Sequence, residues 1–318
     1  MDTQTDARHW SETLRTFMAK DFQQALTYIL SLPPDQQAHA ARMLFDAWAR
    51  QDPEAAVQAV QRLPEAGQQA MLAVILAHWV RLRPEAALAY LASSNQFSPD
   101  FGWQIARQAL QARTDGRDPL DEAGQQRILH SVFSWLNHST LTEAAYDRAI
   151  AQTMGILAQD RIEDAVAVLL RYADSGRMST ITDPTVFEQM ATATKILGVV
   201  SGLRDYAAAV EWGRALPANS AAQAYFLSNV AYGQANQGLF PDISWLGDME
   251  PGVARVRVIA ATALGLLNAS GETSLGSQVR RQLDGDQFDP DGIARILRQS
   301  SLPDAEKAAL LTEIAGAL

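Results

Sequence analysis

The chain has 318 residues, 47% of them apolar and 19% charged, which is enough to build a packed core and excludes wholesale disorder. It has no cysteine, so disulfides, thiolate metal or iron–sulfur sites and a cysteine nucleophile are all ruled out. A formal net charge of −10 repels phosphate backbones, and no nucleic-acid partner is expected.

The opening run Met1-Asp2-Thr3-Gln4-Thr5-Asp6 is acidic and polar and lacks the basic and apolar regions of a signal peptide. The expected location is therefore cytoplasmic by default, or periplasmic if a signal peptide has been removed. The densest apolar run, residues 70 to 80, is interrupted by His78 and is too short to cross a bilayer, so no membrane insertion is expected.

The strongest signal is an internal repeat. Asp21-Phe22-Gln23-Gln24-Ala25-Leu26, Asp52-Pro53-Glu54-Ala55-Ala56-Val57 and Arg83-Pro84-Glu85-Ala86-Ala87-Leu88 begin at positions 21, 52 and 83, an equal interval taken twice. Within each copy the apolar positions (Ala25, Leu26, Ile29, Leu32 in the first) form one stripe of a short helix. A second stripe, Ala41, Leu44, Phe45 and Trp48, reappears at the same offset as Leu72, Ile75, Leu76 and Trp79, and again as Trp103, Ala106, Arg107 and Leu110. Each unit thus reads as a longer helix of about 15 residues and a shorter one of about 11. Asp52-Pro53 offers a side-chain cap before a proline at the first helical position. Leu-Pro at 32–33, 63–64, 216–217 and 302–303 ends one helix and starts the next. Trp48 and Trp79, at equivalent positions, are expected to occupy like packing environments.

Further along, Arg113 to Pro119 and Asp174 to Pro184 are polar interruptions, and between them 121–138 and 141–158 read as two long helices. Asp160 to Val166 and Gly202 to Trp212 resume the turn and short helix, and Trp212 has a counterpart in Trp245, so the period drifts to a slightly longer value. The predicted fold is all-α, an α-solenoid or superhelix of stacked antiparallel hairpins with about 16–18 helices and essentially no strand. Three stretches are expected: N-terminal repeats over 1–113, an irregular helical middle over 114–180 and C-terminal repeats over 181–318.

The unit resembles a tetratricopeptide-type repeat, best at Gly202-x3-Tyr206-x2-Ala209 running to Pro217. The Asp52 to Ala56 form is similar to degenerate helical solenoid repeats of bacterial proteins. The resemblance covers roughly 20–113 and 155–285. It implies a protein-binding scaffold whose longer helices line a concave groove.

Signatures of chemistry are sparse. Gly271 to Ser277 carries glycines but neither the lysine nor the strand of a phosphate loop. His130 and His138 are eight apart, over 10 Å by helical rise, so with Glu143 they read as helix-surface or cap positions rather than zinc ligands. In Asp284 to Gly292 the calcium-loop pattern fails at Phe288 and Arg295, and Asp289-Pro290 reads as a helix start. Lys195, in an apolar helical run, reads as a snorkelling surface lysine. No cofactor, metal or catalytic residue is called for.

The expected function is a non-catalytic scaffold or adaptor that binds another protein or peptide. Its groove positions lie on the longer helices off the apolar stripe: Arg42, Asp46, Gln104 and Gln108, then Asn229, Tyr232 and Asn236. Ala73 and Ala77 hold the matching places in the second copy, so a buried seam would explain these positions equally well. Two alternatives stay open. One is a helical toroid or accessory domain of an enzyme such as a cell-wall lyase. The other, a helical nucleic-acid reader, would need more than the Arg255/Arg257 and Arg280-Arg281 clusters.

Overall fold

The computed structural model describes residues 3–94, 97–111, 121–284 and 289–317. Over these residues the protein is all helix: seventeen α-helices, two short 3₁₀ turns and no strand. The chain forms two compact units, Met1–Leu141 and Thr142–Leu318.

The first unit contains α1 (Thr3–Met18), α2 (Phe22–Leu30), α3 (Pro34–Gln51), α4 (Pro53–Val60), α5 (Glu65–Leu82), α6 (Pro84–Ser93), α7 (Pro99–Gln111) and α8 (Glu122–His138). The step from the start of α3 at Pro34 to that of α5 at Glu65 equals the step from Pro53 to Pro84, as the sequence period requires. The contrast between long and short helices is sharper than the spacing predicts: α3 and α5 have 18 residues each, against 9, 8 and 10 for α2, α4 and α6. The reason is local. The chain turns sharply at each Leu-Pro, and the next long helix then runs without interruption to the following cap.

Those caps are visible. The Asp21 carboxylate accepts from the Gln23 N–H, and the Asp52 carboxylate from the Ala55 N–H, while Arg83 at the third copy supplies no side-chain cap. A second device repeats with the same register. Gln37 Nε2 donates to the Leu32 carbonyl at 2.7 Å, and in the next copy Gln68 Nε2 donates to the Leu63 carbonyl at 2.9 Å. Each glutamine satisfies a carbonyl left open where the short helix ends. Helix α3 packs on α5, and α5 on α7; the predicted stripe is buried in α3 and α5, whereas in α7 Arg107 is exposed and Trp103 half-buried, and Ile105 and Ala109 join Ala106 and Leu110 on the buried face. Trp48 and Trp79 are 4% and 5% exposed, one stacked on Phe22 and Phe45 and the other against Tyr90. Their burial is alike but their aromatic neighbours differ, and Trp79 Nε1 is buried without a hydrogen-bond partner; full burial of so large a side chain is worth ~2–3 kcal/mol or more.

The second unit contains α9 (Glu143–Leu157), α10 (Ile162–Asp174), α11 (Pro184–Arg204), α12 (Tyr206–Arg214), α13 (Ala221–Ala235), α14 (Val253–Ala269), α15 (Thr273–Asp284), α16 (Pro290–Gln299) and α17 (Asp304–Ala317). Long helices again pack in succession, α9 on α11, α11 on α13 and α13 on α14. The last three start at Pro184, Ala221 and Val253, at unequal intervals that straddle the drifting sequence period. The polar stretch after α10 turns at Gly176, whose φ of 71° lies in the left-handed region, and continues as a 3₁₀ turn, Arg177–Thr180. Asp183 then caps α11 with Pro184 at its first position.

Trp245 does not occupy a helix like that of Trp212. It lies in the 3₁₀ turn Ser244–Asp248, so the short helix expected there is reduced to a single turn. Pro241 and Gly247 disfavour a longer helix, and local bonds hold the tight form: Trp245 Nε1 donates to the Asp242 carbonyl at 2.7 Å, and Tyr206 Oη donates to the same oxygen at 2.8 Å. Asp289-Pro290 does begin a helix, α16. The interruption at 113–119 and residues 285–288 of the acidic stretch lie outside the described residues.

Candidate functional site

The candidate site is a cleft in the second unit, about 120 Å³ in volume, between α11, α13, α14 and α15. Its position follows from how closely these helices approach. Side chains larger than hydrogen are missing where backbones meet: a Cβ on Gly202 of α11 would stand 2.7 Å from the Val230 carbonyl oxygen of α13, and one on Gly265 of α14 would stand 2.6 Å from the Ala235 Cβ. With the inner faces locked so tightly, the residues beside the seam are left to line a recess. On α13 these are Tyr225, Ser228, Asn229 and Tyr232, on α14 Arg257, Ala261 and Leu264, each set at helical spacing on one face.

Three cations converge on this recess, Lys195 from α11, Arg257 from α14 and Arg280 from α15, with Asp284 as the acid in its lining. Lys195 Nζ lies 5.1 Å from the centre of the Tyr225 ring, and the Arg257 guanidinium carbon is also 5.1 Å from it. Both distances fall within cation–π range. Arg257 is further held by its Nη2, which donates to the Leu283 carbonyl in the last turn of α15, where the helix dipole favours a cation. Asn229 spends its amide protons at home, donating to the Tyr225 carbonyl at 2.8 Å and to Ser228 Oγ at 3.2 Å.

The positions read from the sequence separate as follows. Asn229 and Tyr232 line the cleft together, whereas Asn236 is exposed at the C-terminal cap of α13 and is not part of the lining. Arg42 and Asp46 lie one turn apart on α3, with Arg42 exposed. Asp46 is already engaged, accepting from Arg50 at 2.7 Å and lying 2.7 Å from His78 Nε2 of α5. Gln104 is exposed on α7, and Gln108, one turn on, is half-buried. Lys195 is half-buried with its head over an aromatic ring, rather than a plain snorkelling lysine. Tyr225, Arg257 and Arg280 join this face without having been expected on it. The 225, 229, 232 spacing carries a signal for the tyrosine, but nothing in the sequence brings α14 and α15 beside it. The neighbouring Arg255 illustrates the difficulty: two positions from Arg257, it is buried and paired to Glu313 of α17 at 2.8 Å.

A second polar cluster in the same unit is structural in character. Asp147 of α9, only 4% exposed, accepts from Arg177 Nε at 3.0 Å, and the Arg177 guanidinium lies 4.9 Å from the centre of the Tyr146 ring. Burial, and then the Asp147 charge, hold the Tyr172 phenol well above its ordinary range. The cluster ties the 3₁₀ turn after α10 back onto α9.

In the first unit a recess of about 320 Å³ is lined by Leu91, Phe97, Trp135, His138, Ser139 and Thr140 among others. His138 Nδ1 lies 2.7 Å from the Ser134 carbonyl and so serves the end of α8, while His130 is exposed. Among the described residues no three of His, Asp or Glu come together as a metal-ligand set, and no helix is long and apolar enough to cross a membrane.

No family model, no curated protein and no solved structure matches this chain.

Proposed function

We propose that the protein is a non-catalytic scaffold of the tetratricopeptide-like kind, an α-solenoid of stacked hairpins whose longer helices hold an extended peptide or a partner helix in a superhelical groove. The observation that carries this reading is the cleft between α11, α13, α14 and α15. Asn229 and Tyr232, at the off-stripe positions of a long helix, line an open recess rather than a buried seam. Recognition surfaces of stacked hairpins are built in this way, from side chains that packing leaves unused.

The apolar side chains beside the cleft fit the same role. On α11, Ile196, next to Lys195 in the chain, and Leu203 share an exposed face, and they are 52% and 46% exposed. A peptide laid along α11 and α13 would cover them. In the first unit the corresponding face carries Arg42, Asp46, Gln104 and Gln108.

The test is selection of a displayed random peptide library on the whole protein, followed by rebinding of the selected peptides to an Asn229→Ala, Tyr232→Ala variant. Selected peptides are expected to lose roughly tenfold or more in affinity. Unchanged affinity in the variant, or a library that yields no binder, overturns the reading.

A further inference from the structure

Ion pairs join many basic and acidic side chains of the described residues, and none of those pairs includes Lys195, Arg257 or Arg280. Arg42, Arg148, Arg281 and Arg298 are in none of those pairs either, so what sets these three apart is that they line one cleft. Several other arginines of the unit do find carboxylates: Arg161 pairs with Asp164, Arg177 with Asp147, Arg214 with Glu211 and Asp248, and Arg255 with Glu313. The three that face the cleft do not. Even Asp284, which lines the same cleft, is not within ion-pair distance of them.

We propose that this cleft is a binding site for a phosphate monoester dianion. Three physical points lead there. The first is charge. The described lining carries three cations and one carboxylate, a net charge of +2, and a phosphate monoester above its second ionisation near pH 6 carries about −2. A carboxylate would leave about one positive charge uncompensated.

The second point is convergence. Lys195 and Arg257 each stand 5.1 Å from the same tyrosine ring, so their charges are within about 10 Å of one another. Between low-dielectric walls such a group focuses its field on the opening. The third is preorganisation. Arg257 is anchored through Nη2 to the Leu283 carbonyl, and its Nε is buried without a hydrogen-bond partner. Its orientation is therefore fixed before any ligand arrives, which lowers the ordering cost of binding. A volume of about 120 Å³ suits one compact oxyanion.

The phosphate could be that of a small molecule or that of a phosphorylated side chain. The scaffold reading makes the phosphorylated side chain the source, and that part of the inference rests on it.

The experiment uses the full chain, an Arg280→Gln variant and a Lys195→Gln variant. Arg280 is exposed, so its replacement leaves the helix packing intact, and Lys195 supplies a second, independent removal of charge. Inorganic phosphate and acetate are titrated calorimetrically, and degenerate peptides centred on phosphoserine, serine or glutamate are then compared. Phosphate is expected to bind saturably, to bind more weakly below pH 6, and to lose roughly tenfold or more in either variant, with acetate far weaker. Absence of saturable phosphate binding, or equal binding by the variants, overturns the dianion site. If serine or glutamate peptides bind as well as phosphoserine peptides, the dianion site fails while the scaffold reading stands. If inorganic phosphate binds and is lost in both variants but no peptide set binds, the dianion site stands and the scaffold reading fails.

Discussion

The two compact units solve the same packing problem with different means. In the first, the means is regularity. The same Leu-Pro turn, the same glutamine bond to the leucine carbonyl and the same buried tryptophan recur at one constant interval. In the second, the spacing wanders, one short helix shrinks to a 3₁₀ turn, and the long helices instead come into near contact of their backbones at Gly202 and Gly265. Large side chains fill gaps where helices stand apart. Where helices touch, the side chains beside the seam are released from packing and can line a recess. The unit with the poorer sequence repeat is accordingly the one with the charged cleft.

The comparison can be broken at its strongest point by replacing the tryptophans. Trp48→Ala and Trp79→Ala should each destabilise the protein by about 3–5 kcal/mol in urea unfolding, and by similar amounts, because their burial matches. A large difference between the two would show that the first unit is not regular in its energetics. Next in size, Gly202→Ala should destabilise by about 1–3 kcal/mol, since the added methyl group meets the Val230 backbone. Gly67→Ala in α5 is its counterpart: the new Cβ meets nothing within 4 Å, and the variant should be more stable by about 0.5–1 kcal/mol. Equal effects at the two glycines would remove the contrast between the units.

Smaller again, Asp52→Ala should lose about 1 kcal/mol, the worth of an N-cap, read from the shift in midpoint. The last expectation leaves neutral pH untouched. Burial pushes the Tyr206 phenol up to about 12, with the Trp245 hydrogen bond opposing part of the rise. A raised phenol favours the native state fully below its unfolded pKa of about 10, and that contribution is lost as pH climbs through the folded value. Tyrosinate absorbance should therefore show late ionisation, and Tyr206→Phe should lower its amplitude by one tyrosine. An identical titration in the variant would show that Tyr206 is not held against the Asp242 carbonyl as described.

Much of the architecture was legible in the chain. Helix content, the positions of Asp-Pro and Leu-Pro turns, the two long helices at 122–138 and 143–157, and the buried stripe through Leu44, Phe45 and Trp48 all follow from period and capping chemistry. The reduction of the helix at Trp245 was not legible, because a tryptophan with a glycine close behind it reads the same in a helical end and in a 3₁₀ turn. The cleft was half legible. Asn229 and Tyr232 could be found because both sit on one face of one helix, a relation that spacing encodes. Lys195, Arg257 and Arg280 could not be assembled from spacing, because they come from three helices.

What the sequence by itself determined is local: where helices begin and end, which face of each is apolar, and that hairpins follow one another. Those properties depend on backbone hydrogen bonding and on residues a few positions apart. Only the tertiary structure decided which charges meet. Arg255 and Arg257 differ by two positions and so point about 160° apart on α14, one to a buried partner and the other to an open cleft. That outcome depends on which helices flank α14, a relation between distant segments that no local pattern records.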